Sequence, residues 1–326
     1  MLKSFALTLS LLPLAATGST PTFAKPNAVQ DDAPAPRSIW GQNKYIEYLP
    51  GTGPVIITAP HGGQLMPESI PDRTPEACGG SAITVRDTNT TELTRAIRAA
   101  FYRRYGFYPH VVLAYLSRKK MDANRSLEEA ACGSAEAAQA FKDWHNFIEQ
   151  AERTVIRDFG KGWYMDIHGH GHPNQRVEIG YLLKTSEINY SDAKLDADPK
   201  LRDRVSVRNL LSDKIPLSEM LRGPKALGSL FEREGIPAVP SDADPRPGDE
   251  KYFSAGYNTL RHTCSTGAAA AGSIADGKIC GLQFETHWKG LRDIAESRRR
   301  FGDVLALTLG EYLKHYYDLD LSAKKR

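Results

Sequence analysis

The sequence lacks a strong excess of charge of either sign. It contains 42 Lys and Arg residues against 39 Asp and Glu, a formal net charge of +3. Proteins that bind nucleic acid concentrate positive charge on one face. Here the two basic clusters, residues 298–300 and 324–326, are short, and the first fits the solvated face of a helix. We therefore expect no nucleic-acid partner.

Long apolar runs are missing after the first 24 residues. A membrane helix needs about 18 or more apolar residues in succession, so we expect no membrane span in the mature protein. Near the start, Lys3 precedes an apolar stretch over residues 5–16, and Thr22-Phe23-Ala24 offers a small-residue cleavage site. This pattern is typical of a secretory signal peptide over residues 1–24. We expect a mobile arm over residues 25–40 and a secreted or periplasmic protein.

Cysteine is scarce, with four residues in the chain, all beyond the predicted signal peptide. Because no two of them are close in sequence, a cysteine-bound zinc cluster is disfavoured. An even number of cysteines in an oxidising compartment favours disulfides. Of the possible pairings we expect Cys78 with Cys132 and Cys264 with Cys280, because each would close a loop or insertion next to a predicted strand end.

The sequence contains no internal repeat. The residues that follow the predicted signal peptide are numerous enough to bury the core of one large α/β domain, which we expect over residues 41–326. The hydrophobic pattern predicts strands at 55–59, 110–116, 163–167, 177–183 and 278–285. It predicts helices at 90–105, 134–159, 217–234 and 291–316. Alternating strands and helices indicate parallel pairing with right-handed crossovers.

Two histidines lie at the carboxyl ends of predicted apolar strands, each in a short segment that also contains glycine. His61 stands in the segment PHGG and His168 in the segment DIHGHGH. In an open α/β sheet the carboxyl ends of the strands carry the site, so both imidazoles should lie there. We interpret them as metal ligands.

His170 and His172 alternate with His168, and an extended backbone would point all three the same way. The intervening glycines favour a bent loop instead, with His168 inward and the other two at the mouth of the site. A direct ligand role for either remains open.

Two further segments carry groups suited to catalysis. Arg118 and Arg125 lie directly after a predicted strand, and arginine donates two parallel hydrogen bonds to a carboxylate or a developing oxyanion. Glu285 ends the last predicted strand, where a general base beside a metal-activated water would stand. Structural ion pairs are the alternative interpretation for each of these residues.

Several motifs together resemble the N-formylglutamate amidohydrolase family over about residues 55–292. They are PHGG at 60–63, RDT at 86–88, SR at 117–118, DANR at 122–125, DIH at 166–168, GYN at 256–258 and QFE at 283–285, in the order seen in that family. The resemblance implies a three-layer α/β sandwich with a mixed, mostly parallel sheet, similar to zinc carboxypeptidases.

The resemblance also implies a site with one Zn²⁺ ion. Its residues would be the zinc ligands His61 and His168 with an acidic partner, the carbonyl-polarising Arg118, the general base Glu285, the carboxylate clamp Asn124 and Arg125, and the substrate-side donor Tyr257.

The acidic zinc ligand departs from the carboxypeptidase pattern. Those enzymes carry a Glu three residues after the first His, where this chain has Gln64, and a neutral glutamine is a poor zinc ligand. Asp87, at the mouth of the next helix, is our choice, and Glu68 is the second candidate. Alternatively, Asp87 only stabilises the helix terminus through the dipole.

These features favour an exported zinc amidohydrolase that removes an acyl group from a small N-acylated amino acid or short peptide. Because an export signal does not suit an enzyme of histidine breakdown, N-formylglutamate itself is not the expected substrate. One alternative is a zinc amidase or peptidase that acts on cell-wall peptide. Another is a metal-dependent binding protein without turnover, against which Glu285 and Arg118 argue, since a binder needs neither a base nor an oxyanion donor.

Overall fold

One mixed sheet organises the part of the chain that the computed structural model describes, residue 1 and residues 36–323. Its strands are β1 (Ile39–Trp40), β2 (Ile46–Leu49), β3 (Val55–Ala59), β4 (His110–Ala114), β5 (Gly162–Gly169), β6 (Val177–Gly180), β7 (Ala238–Val239) and β8 (Ile279–Thr286). Their spatial order is β1-β2-β4-β3-β5-β8-β6-β7. Residues 36–323 lie within one compact unit.

The central strands β4, β3, β5 and β8 are parallel to one another. On the outer sides β2 pairs antiparallel with β4, and β6 pairs antiparallel with β8. Every residue of β3 is buried, as expected for a parallel strand that is covered on both faces. The α/β class with a mixed, mostly parallel sheet is therefore confirmed.

Helices cover both faces of the sheet and make the outer layers. They are α1 (Thr90–Tyr105), α2 (Leu127–Ala131), α3 (Ala135–Phe159), α4 (Thr185–Ile188), α5 (Asp192–Ala197), α6 (Pro199–Arg204), α7 (Leu217–Arg222), α8 (Leu227–Arg233), α9 (Tyr257–His262) and α10 (Ala295–Tyr316). On one face α1 and α10 pack together over Val55 and Ile57. On the other face α3 packs over Ile56, so alternate β3 side chains enter two separate cores.

Most predicted elements are present, and the differences have local causes. The predicted helix 217–234 is divided into α7 and α8, because Gly223 and Pro224 interrupt it. The predicted closing helix begins at Ala295, after an irregular turn over Trp288–Arg292. The predicted strand 177–183 ends at Gly180, and β2 was not foreseen.

Residues 2–24 of the predicted signal peptide and residues 25–35 of the predicted arm lie outside the described residues. The last two residues of that arm, Ile39 and Trp40, pair with β2 instead of remaining free. Both predicted disulfides, Cys78–Cys132 and Cys264–Cys280, are present. Within the described residues, no helix combines the length and the apolar character that a membrane crossing requires.

Candidate metal centre

The site residues converge at the carboxyl edge of the four central parallel strands. His61 follows β3, His168 lies in β5 and Glu285 lies in β8. The loop after β4 supplies residues 117–125. His168 and Glu285 are partners in the β5–β8 register, so their side chains emerge next to each other on one face of the sheet.

His61, Asp87 and His168 form a buried triad with converging donor atoms. The two Nδ1 atoms of the histidines are 3.1 Å apart. Asp87 Oδ2 lies 3.5 Å from Nδ1 of His61 and 3.3 Å from Nδ1 of His168. A tetrahedral zinc ion with bonds of about 2.0–2.2 Å requires about 3.3–3.6 Å between its ligands. The spacing of the triad therefore suits a tetrahedral zinc site.

Asp87 is held in the triad by the turn that precedes α1. Its N–H donates to the His61 carbonyl over 3.0 Å. Its Oδ2 accepts the N–H of Gly169 over 3.1 Å. A side chain at Gly62 would place its Cβ 2.2 Å from Thr91 Oγ1, so glycine allows the His61 turn to approach the start of α1.

Glu68, the second candidate for the acidic ligand, and Gln64, at the carboxypeptidase position, lie elsewhere. Gln64 and Glu68 are exposed and do not line the pocket described below. Among these three residues only Asp87 reaches both histidines.

Two further carboxylates contact the outer ring nitrogens of the histidines. Asp122 Oδ1 lies 2.7 Å from Nε2 of His61, and Asp166 Oδ2 lies 2.8 Å from Nε2 of His168. Each contact directs the Nδ1 atom toward the centre of the triad, as in metal sites where a carboxylate fixes the histidine tautomer. In the sequence these two aspartates stand out only through their places in the segments DIH and DANR.

Neighbouring charges shift the pKa values of the ionisable groups of this centre. Burial alone would raise the pKa of Asp87, but hydrogen bonds from His168 and His61 outweigh it and lower the pKa. Burial would likewise lower the pKa of His168, but Asp166 and Asp87 raise it well above its usual value. The surrounding carboxylates thus favour a positive charge at the centre, which a metal cation would supply.

Glu285 is buried beside the triad. Gln283 Nε2 donates to its Oε1 over 2.9 Å, which orients the carboxyl group. Burial, reinforced by the negative charges of Asp87 and Glu178, raises the pKa of Glu285 to about 8. A carboxyl group with a pKa near neutrality can both accept and return a proton.

The arginines and Asn124 lie at the same pocket. Arg118 Nε donates to Asp122 Oδ2 over 2.9 Å. Arg118 therefore forms a structural ion pair and also lines the pocket. Arg125 Nη1 donates to the Asn124 carbonyl over 2.8 Å. The Asn124 side chain accepts the N–H of Asn258 over 2.8 Å, and its Nδ2 lies 3.3 Å from His168 Nε2.

A pocket of about 420 Å³ opens onto the triad. Its lining includes each of the predicted site residues except Tyr257. The Tyr257 hydroxyl instead donates to the Ala271 carbonyl over 3.2 Å, and its ring packs beside Phe141 and His145 of α3. In this structure Tyr257 is therefore not among the residues that line the pocket, and its role as a substrate-side donor stays a prediction.

No family model matches the chain, and no curated protein matches it. Eleven chains of solved structures are similar to it, among them three at low identity. A gene product from Agrobacterium tumefaciens is 14% identical with a TM-score of 0.44, over 81% of this chain and 92% of that one. An N-formylglutamate amidohydrolase from Ralstonia eutropha is 14% identical with a TM-score of 0.41, over 81% and 93%.

The third is an N-acetylmuramyl-L-alanine amidase from Mycobacterium abscessus, 12% identical with a TM-score of 0.33, over 80% of this chain and 99% of that one. Since these likenesses are low, the function has to be argued from the residues of the site.

Proposed function

We propose that the protein is a zinc-dependent amidohydrolase. The observation that carries the proposal is the triad of His61, Asp87 and His168, whose donor atoms lie 3.1–3.5 Å apart. Two imidazoles and one carboxylate, with a fourth position for water, form a common ligand set of catalytic zinc. The carboxylates behind both histidines support the same assignment.

Zinc in such a ligand set lowers the pKa of water toward about 7 and polarises a carbonyl group. Glu285 stands beside His168 in the sheet register and would take the proton of the attacking water on a carboxylate oxygen. It would then return that proton to the leaving nitrogen of the amide. Arg118 would stabilise the negative charge that develops on the carbonyl oxygen.

The pocket suits a small substrate with a free carboxylate. Its volume of about 420 Å³ is in the usual range for small-molecule sites. Arg125 is partly exposed at its wall and offers a guanidinium group for a carboxylate. Ile83 and Val85 are exposed at the same wall, 46% and 71%, and would contact an apolar acyl group. An N-acyl amino acid or a short N-acyl peptide meets these requirements.

Export is part of the proposal. The predicted signal peptide and the two disulfides both fit an oxidising compartment outside the cytoplasm. An exported enzyme would meet N-acylated amino acids or peptides in the surroundings of the cell.

The decisive experiment combines zinc analysis with a panel of N-acyl amino acids. Glu285→Gln should keep its zinc and lose most of its turnover, because the amide cannot accept the proton. Arg118→Ala should lower kcat by about 10²–10³ as one oxyanion donor is removed. Glu296→Gln, an exposed change in α10, is the matched control and should behave as the parent protein. Turnover of Glu285→Gln equal to that of the parent would refute the mechanism.

A further inference from the structure

A second group of potential metal ligands lies in the wall of the same pocket. His170, His172 and Glu178 bring their donor atoms within 4.8 Å of one another. The two histidines line the pocket, and Glu178 stands in β6 directly opposite Glu285 of β8. None of the three belongs to the His61 triad.

Hydrogen bonds orient these donors toward a common point. Nε2 of His170 donates to the Arg176 carbonyl over 2.8 Å, because a carbonyl can only accept, so Nδ1 carries the free electron pair. A histidine whose outer N–H is held by a backbone carbonyl is typical of metal ligation. Oε2 of Glu178 accepts the N–H of Phe253 over 2.9 Å, which leaves Oε1 for the cluster.

Oε1 of Glu178 is the shared centre of the group. It lies 2.7 Å from Nδ1 of His172 and 3.9 Å from Nδ1 of His170. An ion bound here would replace the proton that His172 and Glu178 share. It would also replace the 3.1 Å contact between the His172 N–H and Nδ1 of His170.

The carboxylate of Glu178 is buried without a lysine or arginine partner among the described residues. Its side chain is 1% exposed, and within residues 36–323 its ion-pair partners are the two histidines rather than a lysine or arginine. The guanidinium group of the nearby Arg176 is paired with Asp244 and Glu250. A buried carboxylate costs free energy unless a positive charge compensates it.

We propose that His170, His172 and Glu178 form a second site for a divalent transition-metal ion. Two imidazole nitrogens and one carboxylate oxygen select zinc and its neighbours over magnesium or calcium, which prefer oxygen ligands. The pocket, which His170 and His172 line, gives an ion access to the cluster. The proposal does not depend on catalysis, since it concerns different ligands from those of the His61 triad.

The test is the zinc content of the purified full chain after equilibration with zinc and removal of the excess. The parent protein should bind two equivalents, and His172→Ala and Glu178→Gln should each bind one. His61→Ala should also bind one, and His61→Ala/His172→Ala should bind none. His315→Ala, which removes an exposed histidine of α10, is the matched control and should bind two. Circular dichroism would show that each variant is folded.

The outcomes separate this proposal from the proposed function. A zinc content of His172→Ala that is one equivalent below that of the parent supports the second site, whatever the zinc content of His61→Ala is. A parent protein with one equivalent that His172→Ala and Glu178→Gln retain overturns it and leaves the His61 triad intact. If only His172→Ala and Glu178→Gln lose zinc, the second site stands and the His61 triad fails. Because His172 is at the pocket surface, its replacement should not disturb the core.

Discussion

Asp122 Oδ1 lies 2.7 Å from Nε2 of His61, and both side chains are buried. The other oxygen of Asp122 accepts the 2.9 Å hydrogen bond from Nε of Arg118. One carboxylate thus orients both a proposed zinc ligand and a proposed oxyanion donor. Asp122, in the loop after β4, would therefore support the proposed metal site without contacting the metal.

Asp122→Asn should weaken zinc binding at the His61 site about 10- to 100-fold, because an amide orients the imidazole less strongly than a carboxylate. Competition with a chromogenic chelator would measure the dissociation constant, at a temperature where the variant is folded. Asp303→Asn, a change on the surface of α10, should leave zinc binding unchanged. Zinc affinity equal to that of the parent in Asp122→Asn would show that the contact has no orienting role.

Asp87→Ala should lose zinc from the His61 site, whereas Glu68→Ala and Gln64→Ala should keep it. The reason is that Asp87 Oδ2 contacts both histidines and the other two residues are exposed. Elemental analysis of the three variants, prepared in parallel, gives the ranking. Loss of zinc from Glu68→Ala with retention by Asp87→Ala would move the acidic ligand to Glu68.

Arg125→Ala should raise KM for N-acyl amino acids with a free carboxylate, with little effect on kcat. Loss of one charge-assisted hydrogen bond corresponds to about 1.5–3 kcal/mol, or roughly 10- to 150-fold in KM. Carboxamide analogues of the same substrates should show no such change. Tyr257→Phe should leave KM unchanged for acids and for carboxamides, because the Tyr257 hydroxyl contacts the Ala271 carbonyl outside the pocket. An equal loss on acids and amides in Arg125→Ala would argue against a carboxylate contact.

His110 should make the fold sensitive to acid. Burial, with a smaller contribution from Arg98, lowers the pKa of this residue from 6.5 to about 4. Between these values the unfolded chain binds a proton that the folded chain does not. The free energy of unfolding should therefore fall by about 3 kcal/mol as the pH drops from 6.5 to 4, and be unaffected above 6.5.

Urea unfolding of the parent and of His110→Asn at several pH values would isolate this effect. Asparagine retains an acceptor for the Tyr48 hydroxyl, which donates to Nδ1 of His110 over 2.7 Å, but it does not titrate. The difference in the free energy of unfolding between the two proteins should shrink as the pH falls from 6.5 to 4. A difference that stays constant over this range would contradict the assignment.

Much of the fold and part of the site follow from the sequence alone. Strands with continuous apolar runs had to be buried, and parallel strands bring their carboxyl ends to one edge of a sheet. His61, His168 and Glu285 were therefore predictable as neighbours. Asp87 was preferred to Glu68 from the sequence, but only the structure shows that the turn before α1 brings its carboxylate to both histidines.

Sequence periodicity could not show which residues become partners across strands or between loops. Glu178 lies opposite Glu285 because of the register of two antiparallel strands. Asp122 contacts His61 although the two residues are 61 positions apart in the sequence. The position of Tyr257 could not be read from the sequence either, since its hydroxyl contacts the Ala271 carbonyl and the residue does not line the pocket. Apolar patterns determine which faces are buried, whereas the packing of loops and strands determines which polar atoms come within hydrogen-bond distance of each other.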